Sequence, residues 1–252
     1  MIHHEIKESI AILRMEHGKV NAMDTEFMAG MSKELSDLES APISAVIITG
    51  MGKVFSAGVD LFRVLDGGRN YLEVFLPALT ETFVKLFTFP KPVVAAVNGH
   101  ALAGGCILVC ACDYRIMADG SGTIGVPELH VGVPFPTIAI EIMRFVLPNN
   151  YLQEIAFAGK NYSVREALQH GLIDEITDAG TLQDRALDFT KTLLNIPSGM
   201  FGLAKRQLRQ VVMDRFERNR GPFDKEVMEG WASPEIQAKI RQYLQATIGK
   251  KK

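Results

Sequence analysis

The sequence predicts an α/β fold followed by a helical tail, on three observations. Short apolar runs typical of buried strands alternate with stretches of helical periodicity as far as about residue 180. After Gly180 the apolar residues recur at helical spacing only. The 252 residues are 47% hydrophobic and 22% charged, a composition that can bury a sizeable core. We therefore expect one large α/β domain with a helical appendage.

Local signals predict four elements before residue 90. Asp24 favours the start of a helix, because its carboxylate can accept hydrogen bonds from backbone N–H groups that have no helical partner. Pro77 is a candidate break in a second helix, since proline has no N–H to donate. The four elements are a strand from Glu5 to Met15, a helix from Asp24 to Glu39, a strand from Ala45 to Thr49 and a helix from about Asn70 to Phe87.

The stretch Lys91–Asp113 is the most informative part of the chain. Its apolar run Val93–Val97 predicts a short buried strand, and the run after Asn98-Gly99 predicts a buried helix that starts at Gly104-Gly105. A helix start exposes unpaired N–H groups and glycines permit close approach, so this position suits a developing negative charge on oxygen. The alternative is a tightly packed Gly-Gly helix start without a ligand, and this stretch alone leaves both readings open.

The elements after Asp113 again follow from local signals. Ser163 and Glu166 form a capping-box pattern, and Ser233-Pro234 favours the start of the last helix. We expect strands at Tyr114–Met117, Thr123–Val126 and Leu172–Thr177, helices at Thr137–Leu147, Asn149–Phe157 and Ser163 to about Gly171, and tail helices separated by turns at Pro197–Gly199, Gly221-Pro222 and Ser233-Pro234.

Three segments share a pattern in which a short buried strand leads into glycine and then a loop or helix start. They are Thr49–Leu61, Val97–Gly105 and Ile124–Val133. If their strands are neighbours, the segments meet at one end of the sheet, where open α/β folds place their sites. The first two segments offer backbone N–H groups beside glycine. The sequence therefore predicts a site at the point where the three converge.

Glu128 is the one carboxylate of the third segment, between apolar neighbours. A carboxylate desolvated in this way tends toward a raised pKa, which suits a proton shuttle. The alternative is a solvated loop residue, which the residues alone favour. His100 and His130 lie near these segments and are interpreted as structural histidines.

Charge and cysteine content exclude several classes of protein. A net charge of −2 and a pI of about 6.3 give no basic field for nucleic acid or an anionic membrane. No apolar run reaches transmembrane length, and the N-terminal MIHHEIKE is too polar for a signal peptide. Cys106, Cys110 and Cys112 lie in one apolar run with no metal-ligand cluster beside them, which indicates packed thiols in a reducing compartment. We expect a cytoplasmic protein, or one of an organelle, without a metal.

Several motifs in order resemble the crotonase, or enoyl-CoA hydratase/isomerase, superfamily. They span roughly residues 5 to 180 and read FSAGVDL (Phe55 to Leu61), KPVVAAVNGHALAGGC (Lys91 to Cys106), CDYRIMAD (Cys112 to Asp119), GVPELHVGVP and YSVREALQHGLIDEI. The resemblance implies a crotonase-like spiral of ββα repeats over residues 1–195 and a C-terminal helical trimerisation region over residues 196–252. It also implies an acyl-CoA thioester substrate of fatty acid metabolism such as β-oxidation, no separate cofactor, and a homotrimer or a hexamer of two trimers.

The resemblance further implies roles for single residues. The backbone N–H groups of Val59 and Gly104 would form the oxyanion hole that holds the thioester oxygen as an enolate forms, and Glu128 would be the catalytic acid/base. The implied substrate-binding residues are Ala22, where the family's adenine pocket begins, Ala57, Gly58, Asp60 and Leu61 at the acyl and pantetheine entrance, and Gly105.

Departures from the family pattern decide among its activities. The family's hydratases use two glutamates, of which the second matches Glu128, while Ile107 stands at the position of the first. Val133–Pro136 is also bulkier and more apolar than the Gly-rich segment of hydratases, and the further acid of dienoyl-CoA isomerases is missing. One glutamate opposite an apolar residue resembles the Δ3,Δ2-enoyl-CoA isomerases, which need one base, no activated water and no cofactor. The alternatives are an enoyl-CoA hydratase, a catalytically silent acyl-CoA-binding protein and another chemistry of the superfamily.

Overall fold

The computed structural model describes residues 1–248. Its strands are β1 (Ile2–Lys7), β2 (Ile10–Met15), β3 (Ala22–Met23), β4 (Ala45–Thr49), β5 (Val54–Ser56), β6 (Gly58–Val59), β7 (Val93–Val97), β8 (His100–Leu102), β9 (Tyr114–Ala118), β10 (Thr123–Gly125), β11 (Asn161–Ser163) and β12 (Glu175–Thr177). Its helices are α1 (Thr25–Ser40), α2 (Leu61–Phe87), α3 (Gly104–Ala111), α4 (Glu128–Val131), α5 (Thr137–Val146), α6 (Asn149–Ala158), α7 (Val164–Gln169), α8 (Leu182–Leu193), α9 (Ser198–Ala232) and α10 (Pro234–Ile248).

Successive turns of the chain build two larger sheets and a small two-stranded one. The larger sheet has the order β1-β2-β4-β7-β9-β12 and is parallel except for the β1–β2 pair. The second sheet has the order β11-β10-β8-β5, and β3 pairs with β6 in a third. From β2 to α4, each repeat adds one strand to the large sheet, then one or two short strands of the other sheets, and then a helix. This is the spiral of ββα repeats that the family resemblance implies.

The large sheet is covered on both faces, which explains why its central strands are apolar throughout rather than alternating. All five residues of β4 and all five of β7 are buried. One face packs on the main core with α1, α2 and α3, while Ile47, Val94 and Ile116 face a smaller cluster completed by Leu182 and Ala186 of α8. Within residues 1–248, none of the helices combines the length and apolarity needed to cross a bilayer.

Most predicted elements are confirmed, with corrections in the first half of the chain. The strand predicted from Glu5 to Met15 is a hairpin of β1 and β2, which turns at Glu8-Ser9 where both residues have positive φ. The helix predicted from about Asn70 begins at Leu61, because Asp60 caps it by accepting from two backbone N–H groups. Its kink lies at Gly68 rather than at Pro77, since only glycine adopts φ 54° with ψ −143° without strain.

The second half needs three smaller corrections. Gly221-Pro222 does not end a helix, because α9 continues through it, and proline within α9 is tolerated as it is within α2. The strand predicted from Leu172 is β12 and starts only at Glu175. Glu128 lies at the first residue of the short helix α4, not in an irregular loop.

A buried ionic cluster fastens α9 to the core. Asp113, just beyond α3, pairs with Lys205 at 2.7 Å and with Arg209 at 2.8 Å. Arg209 also donates to the carbonyls of Ala111 and Cys112 at 3.2 and 3.3 Å, and its guanidinium lies 4.2 Å from the ring centre of Phe87. Carbonyls at the end of a helix lack intrahelical donors and favour a cation, so Arg209 stabilises α3 at its C-terminal end.

Replacing Arg209 with Met should lower the free energy of unfolding by about 3–5 kcal/mol, because Asp113 and the carbonyls of Phe87, Ala111 and Cys112 each lose a buried donor. Urea unfolding followed by circular dichroism measures this change. Arg206→Met, an exposed position on the same helix, is the control and should change stability by no more than about 0.5 kcal/mol. Equal effects of the two substitutions would contradict the capping role of Arg209.

Candidate active site

Buried polar contacts fix the segment that leads to Val59. Asn21 adopts a positive φ of 49°, donates from its side chain to the Phe55 carbonyl at 3.0 Å, and accepts from the Ser56 hydroxyl at its own carbonyl at 2.8 Å. The Asn21 side chain also accepts from the His17 N–H at 2.7 Å. This network is almost fully buried and aligns β3 with β6, so that Ala22 pairs with Gly58 and Met23 with Val59.

The residue after Val59 is fixed against β3. The next residue, Asp60, donates its N–H to the Met23 carbonyl at 2.9 Å. Val59 itself lines the pocket beside α3, and the use of its N–H as an oxyanion donor stays a prediction.

The start of α3 supplies free backbone donors. The first hydrogen bonds of this helix run from the N–H groups of Cys106 and Ile107 to the Ala103 carbonyl, at 2.9 and 3.2 Å. The N–H groups of Gly104 and Gly105 precede them and have no carbonyl partner within the helix. Ala103 holds a positive φ of 52°, which is strained for a residue with a Cβ and turns the chain sharply from β8 into the helix.

Glycine is required where the two segments meet. A Cβ on Gly58 would lie 2.5 Å from the Cβ of Ala103 and 3.1 Å from the nitrogen of Gly104. A Cβ on Gly105 would lie 2.5 Å from the Ser56 carbonyl oxygen, and real Cβ atoms essentially never come so close. The absence of these side chains lets the Val59 segment and the start of α3 lie in direct contact.

The third segment places Glu128 beside the other two. Strand β10 pairs with β8, and the Ala103 N–H donates to the Gly125 carbonyl at 2.8 Å, so the chain reaches Glu128 next to the start of α3. The Glu128 side chain is 8% exposed, and its Oε2 atom has no hydrogen-bond partner among the described residues. Burial raises the pKa of the Glu128 carboxyl to about 8. Glu128 is therefore a buried acid, not the solvated residue that local sequence favours.

The three segments enclose a pocket of about 90 Å³. Five of the predicted site residues line it, together with Ile107: Ala57, Val59, Leu61, Gly104 and Glu128. Within residues 1–248, Glu128 is the only acid that lines this pocket, and no cluster of three His, Cys, Asp or Glu residues could hold a metal ion. The pocket thus combines one carboxyl group, free backbone donors at the start of α3 and, apart from Tyr243, a largely apolar wall.

Four predicted substrate-binding residues do not line the pocket and have structural positions beside it. Ala22 pairs with Gly58, Gly58 and Gly105 permit the close approach of the two segments, and Asp60 accepts from the N–H groups of Phe62 and Arg63 at the start of α2. Contacts of these four residues with a substrate stay predictions.

The sequence analysis did not identify three pocket-lining residues that are distant in the chain from the three segments. Phe83 of α2, Trp231 of α9 and Tyr243 of α10 all line it. Helical periodicity assigns each of them to a core face and does not indicate which cavity they border. The one available signal was that Trp231 is the only tryptophan of the chain.

Comparison with known proteins matches this architecture. The family model described as enoyl-CoA hydratase/isomerase matches residues 5–245. The chain belongs to this family. Enoyl-CoA delta isomerase 1, mitochondrial, of Rattus norvegicus is 28% identical over 262 residues, which cover 100% of this chain and 88% of that protein. A putative enoyl-CoA hydratase of Thermus thermophilus is 35% identical over 179 residues, which cover 69% of this chain and 68% of that protein.

The fold resemblance to solved structures extends through the helical tail of this family member. The crystal structure of human mitochondrial delta3-delta2-enoyl-CoA isomerase aligns with a TM-score of 0.95 at 25% identity and covers 100% of this chain and 99% of that one. The chain therefore has the crotonase fold, and its C-terminal helices are part of the similarity. Relatives named as isomerases and as hydratases both match, so the reaction has to be argued from the chemistry of the site.

Gly105→Ala should lower turnover at least tenfold and lower stability by about 1–3 kcal/mol, because the new Cβ forces α3 away from Ser56. Steady-state kinetics with an acyl-CoA substrate and thermal unfolding measure the two effects. Gly180→Ala is the matched control, since a Cβ there meets nothing within 4 Å. Unchanged turnover in Gly105→Ala would contradict the role of this contact in the site.

Proposed function

We propose that the protein is an enoyl-CoA isomerase that moves a double bond from the 3-position to the 2-position of an acyl-CoA thioester. The observation that supports this best is the pairing of Glu128 with Ile107 across one pocket. A single unpartnered carboxyl can accept and return a proton, whereas Ile107 offers neither a proton nor a hydrogen bond to water. One proton-transferring side chain with no polar partner within residues 1–248 supports isomerisation, which needs a single acid/base group.

In the proposed reaction, the ionised Glu128 carboxylate takes a proton from C2 of the 3-enoyl thioester. The electron pair of the C2–H bond delocalises over C2–C4 and the thioester carbonyl, which gives a dienolate. The N–H groups of Val59 and Gly104 hold its oxygen, where preorganised donors are worth about 2.7–4 kcal/mol each. The same carboxyl then returns the proton to C4, so no atom is gained or lost.

The raised pKa of Glu128 suits both halves of this cycle. A general base works best when its pKa lies near the working pH, and its conjugate acid must be strong enough to give the proton back. Desolvation by the surrounding apolar side chains is the main cause of the raised pKa. Burial alone thus raises the pKa of Glu128, without a second negative charge beside it among the described residues.

A hydratase is the second candidate, because the relative from Thermus thermophilus carries that name. Hydration requires a group that orients and activates water. Apart from Glu128, the one ionisable side chain that lines the pocket within residues 1–248 is Tyr243, whose exposure of 37% places it toward the mouth. The apolar wall of Ile107, Val133 and Pro136 therefore favours isomerisation over addition of water.

We also propose that the protein assembles as a homotrimer or as two stacked trimers, as the family resemblance implies. Exposed apolar side chains along α9 support a subunit contact there: Met200, Leu203, Leu208 and Val211. The division into a core over residues 1–195 and a helical region over residues 196–252 stays a prediction, and α9 begins close to that boundary.

Glu128→Gln should lower kcat for trans-3-hexenoyl-CoA about 10²–10⁴-fold, the usual contribution of a general base. In the unaltered protein, kcat/KM should rise with pH and level off above about pH 8, because only the ionised carboxyl accepts the C2 proton. Chromatography with mass detection follows the product, and Glu81→Gln, at an exposed site outside the pocket, is the control.

The same experiment separates the two candidate reactions. An isomerase converts the 3-enoyl thioester with no change of mass, whereas a hydratase adds one water to trans-2-hexenoyl-CoA. Full isomerase activity in Glu128→Gln would contradict the proposed role of this residue, and rapid addition of water would favour the hydratase.

The pKa of Glu128 also predicts how stability depends on pH. A carboxyl whose pKa rises from 4.5 to about 8 on folding holds its proton more tightly when folded, so its contribution to stability is lost as the pH rises between these values. Relative to Glu128→Gln, the unaltered protein should lose at most about 1.4 kcal/mol for each pH unit in this window. Unfolding in urea at pH 5, 7 and 9 measures the difference, and parallel curves would contradict the raised pKa.

A further inference from the structure

The two ends of the active-site pocket differ in exposure. Ala57, Leu61 and Tyr243 are partly exposed and mark the mouth, where the thioester and its long carrier would enter. Phe83 and Trp231 are 1% and 2% exposed and mark the closed end. A chain that extends from the thioester past Glu128 would therefore run against the aromatic side chains of the closed end.

Trp231 is held rigidly in this position. Its indole N–H donates to the Pro134 carbonyl at 3.0 Å, and its own carbonyl accepts from the Gln237 side chain at 2.9 Å. Pro134 also lies against the adjacent Gly230, where a Cβ would come within 3.1 Å of the proline ring. Because the indole, the proline and the start of α10 restrain one another, Trp231 cannot swing aside without breaking these contacts.

The space in front of Trp231 is small. A dry apolar cavity of about 150 Å³ accommodates benzene, with its six carbon atoms. The whole pocket, including the space beside Glu128 and Gly104, measures about 90 Å³, which by the same ratio holds roughly four carbon atoms. A short acyl chain fits that space, and a long one does not.

Two larger grooves are lined by residues of the pocket or by their neighbours. A groove of about 590 Å³ is lined by Pro134, Ile140, Val227 and Gly230, and one of about 310 Å³ shares Pro136 with the pocket. Trp231 lines the pocket, follows Gly230 directly in the chain and donates to the Pro134 carbonyl, and both of these neighbours line the larger groove. Loss of the indole would enlarge the pocket on this side.

We propose that Trp231 is a specificity-determining residue that limits acyl chain length, so that the protein acts on short-chain thioesters of about four to six carbons. This inference rests on the proposed function for the identity of the substrate, while the length limit itself is a property of binding. Trp231 touches the end of the acyl chain and takes no part in proton transfer. Removal of its indole should therefore alter which chains bind and leave the acid/base chemistry in place.

The test measures dissociation constants of saturated acyl-CoA thioesters with 4, 6, 8, 10 and 12 carbons by titration calorimetry, so that no turnover is needed. The unaltered protein should bind the six-carbon thioester at least tenfold more tightly than the ten-carbon one. Trp231→Leu should bind the ten-carbon thioester at least tenfold more tightly than the unaltered protein does, with the four-carbon thioester changed less than threefold. Trp231→Phe, which removes less volume, should fall between them.

Phe216→Leu is the matched control, because Phe216 is a fully buried aromatic residue of the same helix that does not line the pocket. It should leave the length profile unchanged. Equal affinity of the unaltered protein for six and ten carbons, or the same shift in Phe216→Leu as in Trp231→Leu, would overturn the proposal. Full isomerase activity of Glu128→Gln would overturn the proposed reaction alone, since the length profile is measured without turnover.

Discussion

The contact between the Val59 segment and the start of α3 is the constraint on which the site depends. Gly58 and Gly105 leave no space for a Cβ, and Ala103 is held at a positive φ between the two segments. Neither segment adopts this arrangement through local preference alone, so the parallel pairing of β5, β8 and β10 must impose it. The same strand pairing places Glu128 beside this contact. The positions of the backbone donors at the start of α3 and of the Glu128 carboxyl therefore both depend on the sheet.

The C-terminal helices contact α3 and contribute residues to the pocket. Arg209 caps the end of α3 while Trp231, six turns further along α9, closes the pocket that the start of α3 opens. One helix thus stabilises the scaffold of the site and shapes its interior. The apolar enclosure raises the pKa of Glu128. These features support the proposed transfer of a proton by a single carboxyl.

The sequence predicts those parts of the molecule that depend on neighbouring residues. The caps at Asp24 and Ser163 form as expected, because each involves a side chain and an N–H three residues away. The start of α3 at Gly104 also follows from neighbouring residues alone. By contrast, the continuity of α9 through Pro222 depends on packing against α5 and α2, and local signals alone predict a turn. The position of Trp231 depends on contacts about a hundred residues apart, which periodicity does not encode.

The most direct test of a one-carboxyl shuttle is the fate of the proton itself. A 3-hexenoyl-CoA labelled with deuterium at both C2 positions would be converted in ordinary water, and the deuterium at C4 of the product counted by mass spectrometry and NMR. If Glu128 carries the proton from C2 to C4 inside a dry pocket, a substantial fraction of the label is retained at C4. Complete replacement by solvent hydrogen would contradict this mechanism and would indicate a water-filled site or a second base.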